Sequence, residues 1–232
     1  MLELDMALDA ARAGAARLMA SFGHDASVRS KAGADLVTDA DFASQQIIVD
    51  TIRRSFPEDE ILGAEGHTAD LSACRLWIVD PLDGTTNYAH GIPHFAVSIA
   101  FYEQGQPRCG VILTPARNDL YTVAVGCGAF HNGRRAQVST ETRLDQSLIG
   151  IGLYYDRGAM MEATLAAVHA LFKQQIHGVR RFGTAALDLC HVGVGYYGGF
   201  FEYQLSPWDF AAGRLFVEEA GGCVTTALGE PL

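Results

Sequence analysis

Trp77-Ile78-Val79-Asp80-Pro81-Leu82-Asp83-Gly84-Thr85-Thr86 is the stretch on which the reading of this chain turns. Its apolar start reads as a buried strand, and the strand ends in two carboxylates three residues apart. Pro81 fixes one backbone angle and biases Asp80 toward an extended conformation. Gly84 permits a tight turn or a close approach of the backbone to a ligand. Two acids therefore project from the C-terminal end of a strand, beside a loop with free backbone N–H groups and hydroxyls. Such a place suits a hard divalent cation together with a phosphate. Two acids flanking a proline repel each other for no structural gain, so a purely structural role accounts for them poorly.

On either side of this stretch the periodicity alternates between helix and strand. Leu4, Leu8, Ala11, Ala15, Leu18 and Phe22 recur at three- and four-residue steps and predict a helix over 3–22, ended by Gly23. Ser27–Asp35 reads as a polar, flexible segment. A second helix is expected from about Asp39 to Phe56, with Ile47, Ile48, Thr51 and Ile52 inward. Ile61-Leu62, Phe95–Tyr102, Val111–Leu113 and Leu120–Val125 read as strands, and Asn132-Gly133 as a hairpin turn. Further on come a strand at Leu148–Leu153, a helix marked by Met161, Leu165, Val168 and Phe172, and a strand at Val179–Phe182. A helix beginning near Thr184, a strand at Gly199–Leu205, a helix at Pro207–Ala220 and a last strand from Cys223 complete the pattern. Layered α and β elements in one unit follow.

Bulk properties narrow the function. The chain has 232 residues, 49% of them apolar, and a formal net charge of −10. That charge argues against direct nucleic-acid or anionic-membrane binding. An acidic protein that binds a phosphate needs local positive charge, and metal ions supply it. Cys74, Cys109, Cys127, Cys190 and Cys223 are odd in number and widely spaced, which predicts reduced, mostly buried thiols rather than a disulfide framework. Glu3, Asp5 and Asp9 stand where a signal peptide carries basic residues, so the expectation is a soluble, cytoplasmic protein.

Four short clusters share one chemistry: Asp35-Leu36-Val37-Thr38-Asp39-Ala40-Asp41, Gly63-Ala64-Glu65, Asp80 to Thr85, and Ser206-Pro207-Trp208-Asp209. Each places a carboxylate where a strand ends or a helix begins. Two have a plain structural reading: Thr38 with Asp41, and Ser206 with Asp209, both fit the capping box that opens many helices. Gly183-Thr184 at a helix start suits an anion or polar ligand, and an ordinary threonine N-cap explains it equally well. His90 and His94 are separated by Gly91 and Pro93, which speaks against a metal-binding helix face. No histidine receives a catalytic role. Arg180-Arg181 is placed to meet a substrate phosphate, although a solvated or salt-bridged face is the safer reading.

These clusters, in this order and over nearly the whole chain, resemble the inositol monophosphatase family of metal-dependent, lithium-sensitive phosphatases. The run Trp77 to Asn87 is close to its most specific signature; Phe182-Gly183-Thr184-Ala185-Ala186 and Trp208-Asp209 through Glu219-Ala220-Gly221-Gly222 complete the set. The resemblance implies an α-β-α-β-α layered sandwich of the sugar-phosphatase type, in two lobes of about 1–145 (metal and phosphate) and 146–232 (substrate). It implies two or three Mg²⁺, with Mn²⁺ as a substitute, held by Glu65, Asp80, Asp83, Asp209 and the Leu82 carbonyl. Thr85, supported by Asp41, would orient and help deprotonate the attacking water, with Glu65 as a further catalytic group. Gly84 and Thr85 N–H groups would hold phosphate oxygens. Asp83, Gly183, Thr184, Ala185 and Glu202 would face the hydroxyls of a small phosphate ester, and Lys31 matches a lysine near the metals. A homodimer is implied as well.

Physics agrees with that set. Four carboxylates share a small site only if cations neutralise them, and all-oxygen ligands favour Mg²⁺ or Mn²⁺ over zinc. Two departures stand out: Ala64 replaces a second acid usually found before the glutamate, and the Glu65–Asp80 loop is short. The chain also ends at Leu232, soon after Gly221-Gly222, where relatives continue, so a shortened C-terminal end is expected. Asn87 and Glu202 lean toward the inositol-phosphate branch, while the histidinol-phosphate branch tends to carry Arg where Thr86 stands. The alternatives are a fructose-1,6-bisphosphatase or broad sugar phosphatase, and a regulatory protein of this fold acting in transcription antitermination.

Overall fold

The computed structural model describes residues 1–23, 28–32, 35–155 and 157–232. Its elements in chain order are α1 (Leu2–Ser21), β1 (Val28–Ala32), β2 (Asp35–Thr38), α2 (Asp39–Ser55), β3 (Glu60–Gly63), β4 (Arg75–Asp83), α3 (Thr85–Ala89), β5 (Ala96–Glu103), β6 (Gln106–Thr114), β7 (Asp119–Ala124), β8 (Gly128–His131) and β9 (Arg134–Arg135). After these come β10 (Leu148–Ile151), α4 (Ala159–Lys173), β11 (Gly178–Arg180), α5 (Ala185–Gly193), β12 (Gly199–Phe201) and α6 (Pro207–Glu219).

β4 is central because both of its faces are buried. Trp77 and Val79 pack with Ala11, Leu18, Ile48 and Ile52 of α1 and α2. Leu76 and Ile78 point the other way, toward Leu187 of α5 and Leu215 and Phe216 of α6. A strand covered on both sides needs apolar residues at every position, hence the unbroken run. Trp77 is fully buried, and its indole N–H donates to Asp59 Oδ2 at 2.8 Å. β4 pairs in parallel with β3 and antiparallel with β5, inside a seven-stranded sheet ordered β3-β4-β5-β6-β7-β8-β9. A second, parallel sheet runs β11-β10-β12. α5 touches β12, and Val168 and Leu171 of α4 pack on Ile149 and Ile151. The layers thus run α1/α2, large sheet, α5/α6, small sheet, α4.

Several local expectations change. The inward face of α2 is Asp41, Ser44, Gln45, Ile48, Val49 and Ile52, with Ile47 and Thr51 only half-buried. On α4 the buried position is Thr164, while Leu165 and Phe172 are half-exposed. No strand begins at Cys223; the segment makes only an isolated bridge between Thr225 and Pro231. Three of the five cysteines, Cys74, Cys127 and Cys223, are exposed, against the expectation of mostly buried thiols. Within the Ser27–Asp35 segment Val28–Ala32 form β1 and Asp35 opens β2, and residues 27, 33 and 34 lie outside the described residues. Among the described residues no helix is long and apolar enough to cross a membrane.

A carboxylate cleft at the end of β4

In a regular strand, residues three apart point to opposite faces. Asp80 pairs with Ser98 and Asp83 with Ala96, so three steps on β4 oppose two on β5. This is a β-bulge, and the extra residue turns Asp83 to the same side as Asp80. Pro81 sits inside the bulge, where the absence of an N–H does no harm to the ladder. Asp80 Oδ1 accepts from the Leu82 N–H at 3.0 Å, which fixes the turn.

Gly84 follows with φ 91° and ψ 36°, a left-handed conformation that favours glycine. A Cβ there would meet Thr184 Cγ2 at 2.4 Å, so the missing side chain also lets the β4 and α5 loops touch. Asn87 ties the same loops by donating to the carbonyls of His94 and Phe182, each at 2.8 Å. Asp83 Oδ2 accepts the Ala186 N–H at 2.8 Å, and so caps the start of α5 from another element.

The first turns of α2 and α6 bring two more acids. Both capping boxes are present: Asp41 Oδ2 accepts from Thr38 N at 2.8 Å, and Asp209 Oδ2 from Ser206 N at 2.6 Å. Capping occupies only one oxygen of Asp41. Its Oδ1 accepts from the Thr85 hydroxyl at 2.9 Å, and that hydroxyl also lies 3.1 Å from the Leu82 carbonyl. One hydroxyl proton serves one acceptor at a time, so donation to Asp41 leaves Thr85 Oγ1 free to accept from another group.

Glu65, Asp80, Leu82, Asp83 and Asp209 line one cleft of about 200 Å³. Gly84, Thr85, Gly183, Ala185 and Glu202 line it too. Thr184 does not: it is fully buried, and its hydroxyl lies 3.0 Å from His94 Nε2 instead of capping α5. Its side chain is therefore not part of the cleft lining. Arg181, read in sequence as a phosphate contact or, more safely, as part of a solvated face, stands on the cleft wall. Lys31 lies on β1, and its side chain falls outside the described residues. A larger cavity of about 770 Å³ lies around β12 and the C-terminal segment, but its lining is mainly apolar and brings no set of acids together.

The electrostatics are those of crowded acids. Burial, then the charge of Asp209, pushes the Asp80 carboxyl well above the usual carboxylate range. Burial, then Asp80 and Asp209, does the same for Asp83, although the Ala186 N–H opposes the shift. Burial also raises Asp41, against its hydrogen bonds from Thr38. Among the described residues no three His, Cys, Asp or Glu side chains are gathered tightly enough to hold an ion between them. The donor set still fits a hard dication: it is all oxygen, it shares one cleft, and a cation offsets both the burial and the neighbouring charge that raise these pKa values.

Several supporting residues were not singled out in the sequence. Gln45 donates to the Glu65 carbonyl at 2.8 Å and accepts its N–H at 2.9 Å, clamping the backbone that presents Glu65. Ser44 donates to the Pro81 carbonyl at 3.1 Å. With Asp41 these residues form an i, i+3, i+4 face of α2 that braces Thr85, the Pro81 carbonyl and the Glu65 backbone. The available signal was polar residues on the buried face of an amphipathic helix. Tyr154 and Tyr155 were also missed at the rim.

Asp188 was missed too. It is buried in α5, and burial, then Glu202, pushes its carboxyl up to about 8. Its Oδ1, His191 Nδ1 4.0 Å away and the nearby Tyr197 hydroxyl close no hydrogen bond of ordinary geometry. A folded-state pKa above the unfolded value of 3.8 means the fold favours the protonated acid. The contribution is complete below pH 3.8 and is lost as pH rises to about 8. Asp188→Asn, which cannot ionise, should therefore gain stability over the wild-type protein progressively between those limits, with a constant gap above them. Urea unfolding of metal-free protein across that range checks this; a gap independent of pH contradicts it.

Comparison with known proteins adds relatives of like sequence and fold. A model of the Inositol monophosphatase family matches residues 2–232. The chain is 40% identical over 230 residues to the putative Nus factor SuhB of Neisseria meningitidis serogroup B, covering 98% of this chain and 88% of that one. It is 37% identical to a fructose-1,6-bisphosphatase/inositol-1-monophosphatase of Thermotoga maritima, covering 99% of this chain and 87% of that one. Among solved structures, the extragenic suppressor protein suhB of Bartonella henselae superposes with a TM-score of 0.94 at 38% identity, covering 99% of this chain and 89% of that one.

Proposed function

The chain belongs to the inositol monophosphatase family, and from that premise we propose that it is a Mg²⁺-dependent phosphomonoesterase acting on myo-inositol monophosphate or a similar polyol phosphate. The observation that carries this reading is the convergence of Glu65, Asp80, Asp83 and Asp209 on one cleft that also holds the Thr85–Asp41 pair.

Glu65, Asp80, Asp83, Asp209 and the Leu82 carbonyl are the residues that would hold Mg²⁺, or Mn²⁺ in its place. When bound, such ions act as Lewis acids toward the phosphoryl and leaving oxygens and make a nearby water more acidic. The protein's own part is positioning and proton handling. Thr85 Oγ1 donates to Asp41 Oδ1 and accepts from the attacking water, so the water's lone pair is aimed at phosphorus. The Gly84 and Thr85 N–H groups hold phosphate oxygens. Phosphoryl transfer spreads charge over those oxygens, so orientation and electrostatics suffice without a covalent intermediate. Asp83, Gly183, Ala185 and Glu202 face the hydroxyls of the leaving alcohol, with Thr184 contributing only through its backbone. We assign these roles to a cytoplasmic homodimer in which the segment 1–145 supplies most of the metal and phosphate groups, and 146–232 supplies Asp209 and most of the alcohol side.

Phosphate release from myo-inositol 1-phosphate and from fructose 1,6-bisphosphate, measured side by side in Mg²⁺ and in EDTA, tests the reading. Turnover of the inositol ester alone supports the narrow assignment. Turnover of both makes the protein a broad phosphatase, like the name of its Thermotoga relative. No Mg²⁺-dependent turnover of either contradicts the proposal. Glu202→Gln should mainly raise KM for the inositol ester, since a hydroxyl contact made equally in ground and transition states is uniform binding. Loss of kcat with unchanged KM would contradict that role.

The name of the Neisseria relative favours a second reading, a regulatory role of the kind a Nus factor has. Co-purification with transcription factors that survives Asp80→Asn would support it, and its absence would leave catalysis as the whole account.

A further inference from the structure

Gly152 directly follows β10, and its N–H donates to the Phe201 carbonyl at 3.0 Å. That bond pins the ends of β10 and β12 together, at the point where the two strands deliver Gly152 and Glu202 into the cleft. A Cβ built on Gly152 would lie 1.8 Å from Glu202 Oε2 and 1.9 Å from its Cδ. The Glu202 carboxyl group therefore fills the volume that any side chain at 152 needs. Gly152 lies outside the left-handed region, so its backbone makes no demand for glycine. The demand comes from the neighbour.

The obstructing atoms are the far end of a flexible side chain. An added methyl is accommodated by rotating the carboxyl group to another rotamer, with both strands left in place. Gly150, two residues earlier, is different: its Cβ would meet the Tyr197 ring at 2.7 Å, a rigid core neighbour. Position 152 thus controls where a cleft carboxylate sits, whereas position 150 controls packing.

We propose that Gly152 is a specificity-determining position: its missing side chain forms the socket that holds the Glu202 carboxyl group against the hydroxyl groups of a polyol phosphate. This rests on the substrate contact assigned to Glu202 above. A residue with a Cβ at 152 turns that group away and leaves a cleft that still accepts a phosphate but discriminates poorly between alcohols.

The test is a double-mutant cycle of Gly152→Ala and Glu202→Ala, assayed on myo-inositol 1-phosphate and on β-glycerophosphate, with inhibition by inorganic phosphate read in parallel. Loss of one hydrogen bond to a charged group should raise KM for the inositol ester about tenfold in Gly152→Ala. kcat and the phosphate inhibition constant should change far less, and β-glycerophosphate should be less affected than the inositol ester. In the Glu202→Ala background, Gly152→Ala should add no more than about a twofold change. A merely misfolded site would move the phosphate constant and KM together, and that result overturns the proposal. So does an unchanged KM in Gly152→Ala, or an undiminished effect when Glu202 is already gone. If Glu202→Ala alone leaves KM unchanged while turnover persists, the substrate contact of Glu202 fails and the socket fails with it, but the phosphatase reading stands.

Discussion

Asp83→Asn should lower kcat by roughly 10²–10³-fold, because a metal-centred charge interaction in phosphoryl transfer contributes several kcal/mol and each 1.36 kcal/mol is a factor of ten. The fold should survive. The amide oxygen of Asn can still accept the Ala186 N–H that Asp83 Oδ2 accepts at 2.8 Å, so the cap on α5 remains. Asp83 is a buried acid that burial, then the charges of Asp80 and Asp209, push well above the usual range, so replacing it also relieves repulsion, and the thermal midpoint of metal-free protein should be unchanged or higher. Steady-state kinetics and a melting curve, taken together, are the measurement. Near-normal turnover would remove Asp83 from the metal set, while loss of folding would show that its role is the helix cap.

Thr85→Ala should cost about 10²–10⁴-fold in kcat with KM little changed, the range expected when a group that assists proton transfer is removed. Thr85→Ser keeps the hydroxyl that donates to Asp41 Oδ1, and should recover most of the loss. The alanine variant also strands a buried carboxylate oxygen, which lowers stability by about 1–3 kcal/mol, so the serine variant separates chemistry from packing. If alanine and serine behave alike, the hydroxyl is not the acting group.

The architecture was legible where a pattern is local. The apolar run from Trp77 announced a buried strand, and the structure shows it buried on both faces, with Trp77 and Val79 on one helix layer and Leu76 and Ile78 on the other. The two capping boxes were legible as well, since their residues are three apart in sequence. What escaped was set by partners distant in the chain. The bulge between Asp80 and Asp83 is a matter of register against β5, and no property of β4 alone displays it. Thr184 read as a possible cap or ligand contact, and His94 claimed its hydroxyl. The periodicity of α4 gave a helix correctly but could not say which neighbours would cover Leu165 and Phe172.

Supporting parts of the site were hidden for the same reason. Gln45 holds Glu65 across twenty positions of chain, and Gly152 meets Glu202 only because β10 and β12 are neighbours in a sheet. Asp188 stands in an apolar stretch of α5, and only its burial beside Glu202 gives it a perturbed carboxyl. Cys223 carried a strand-like composition, yet the segment that follows finds no sheet edge beyond one bridge.

The central claim is that the acids at the end of β4 work by holding Mg²⁺. The direct measurement is Mg²⁺ binding by calorimetry beside Mg²⁺-dependent phosphate release from myo-inositol 1-phosphate, in wild-type protein and in Asp80→Asn. The account predicts no turnover in EDTA, turnover that rises along the binding curve, and the loss of both in the variant. Turnover that persists in EDTA, or Mg²⁺ binding undiminished by Asp80→Asn, would contradict it.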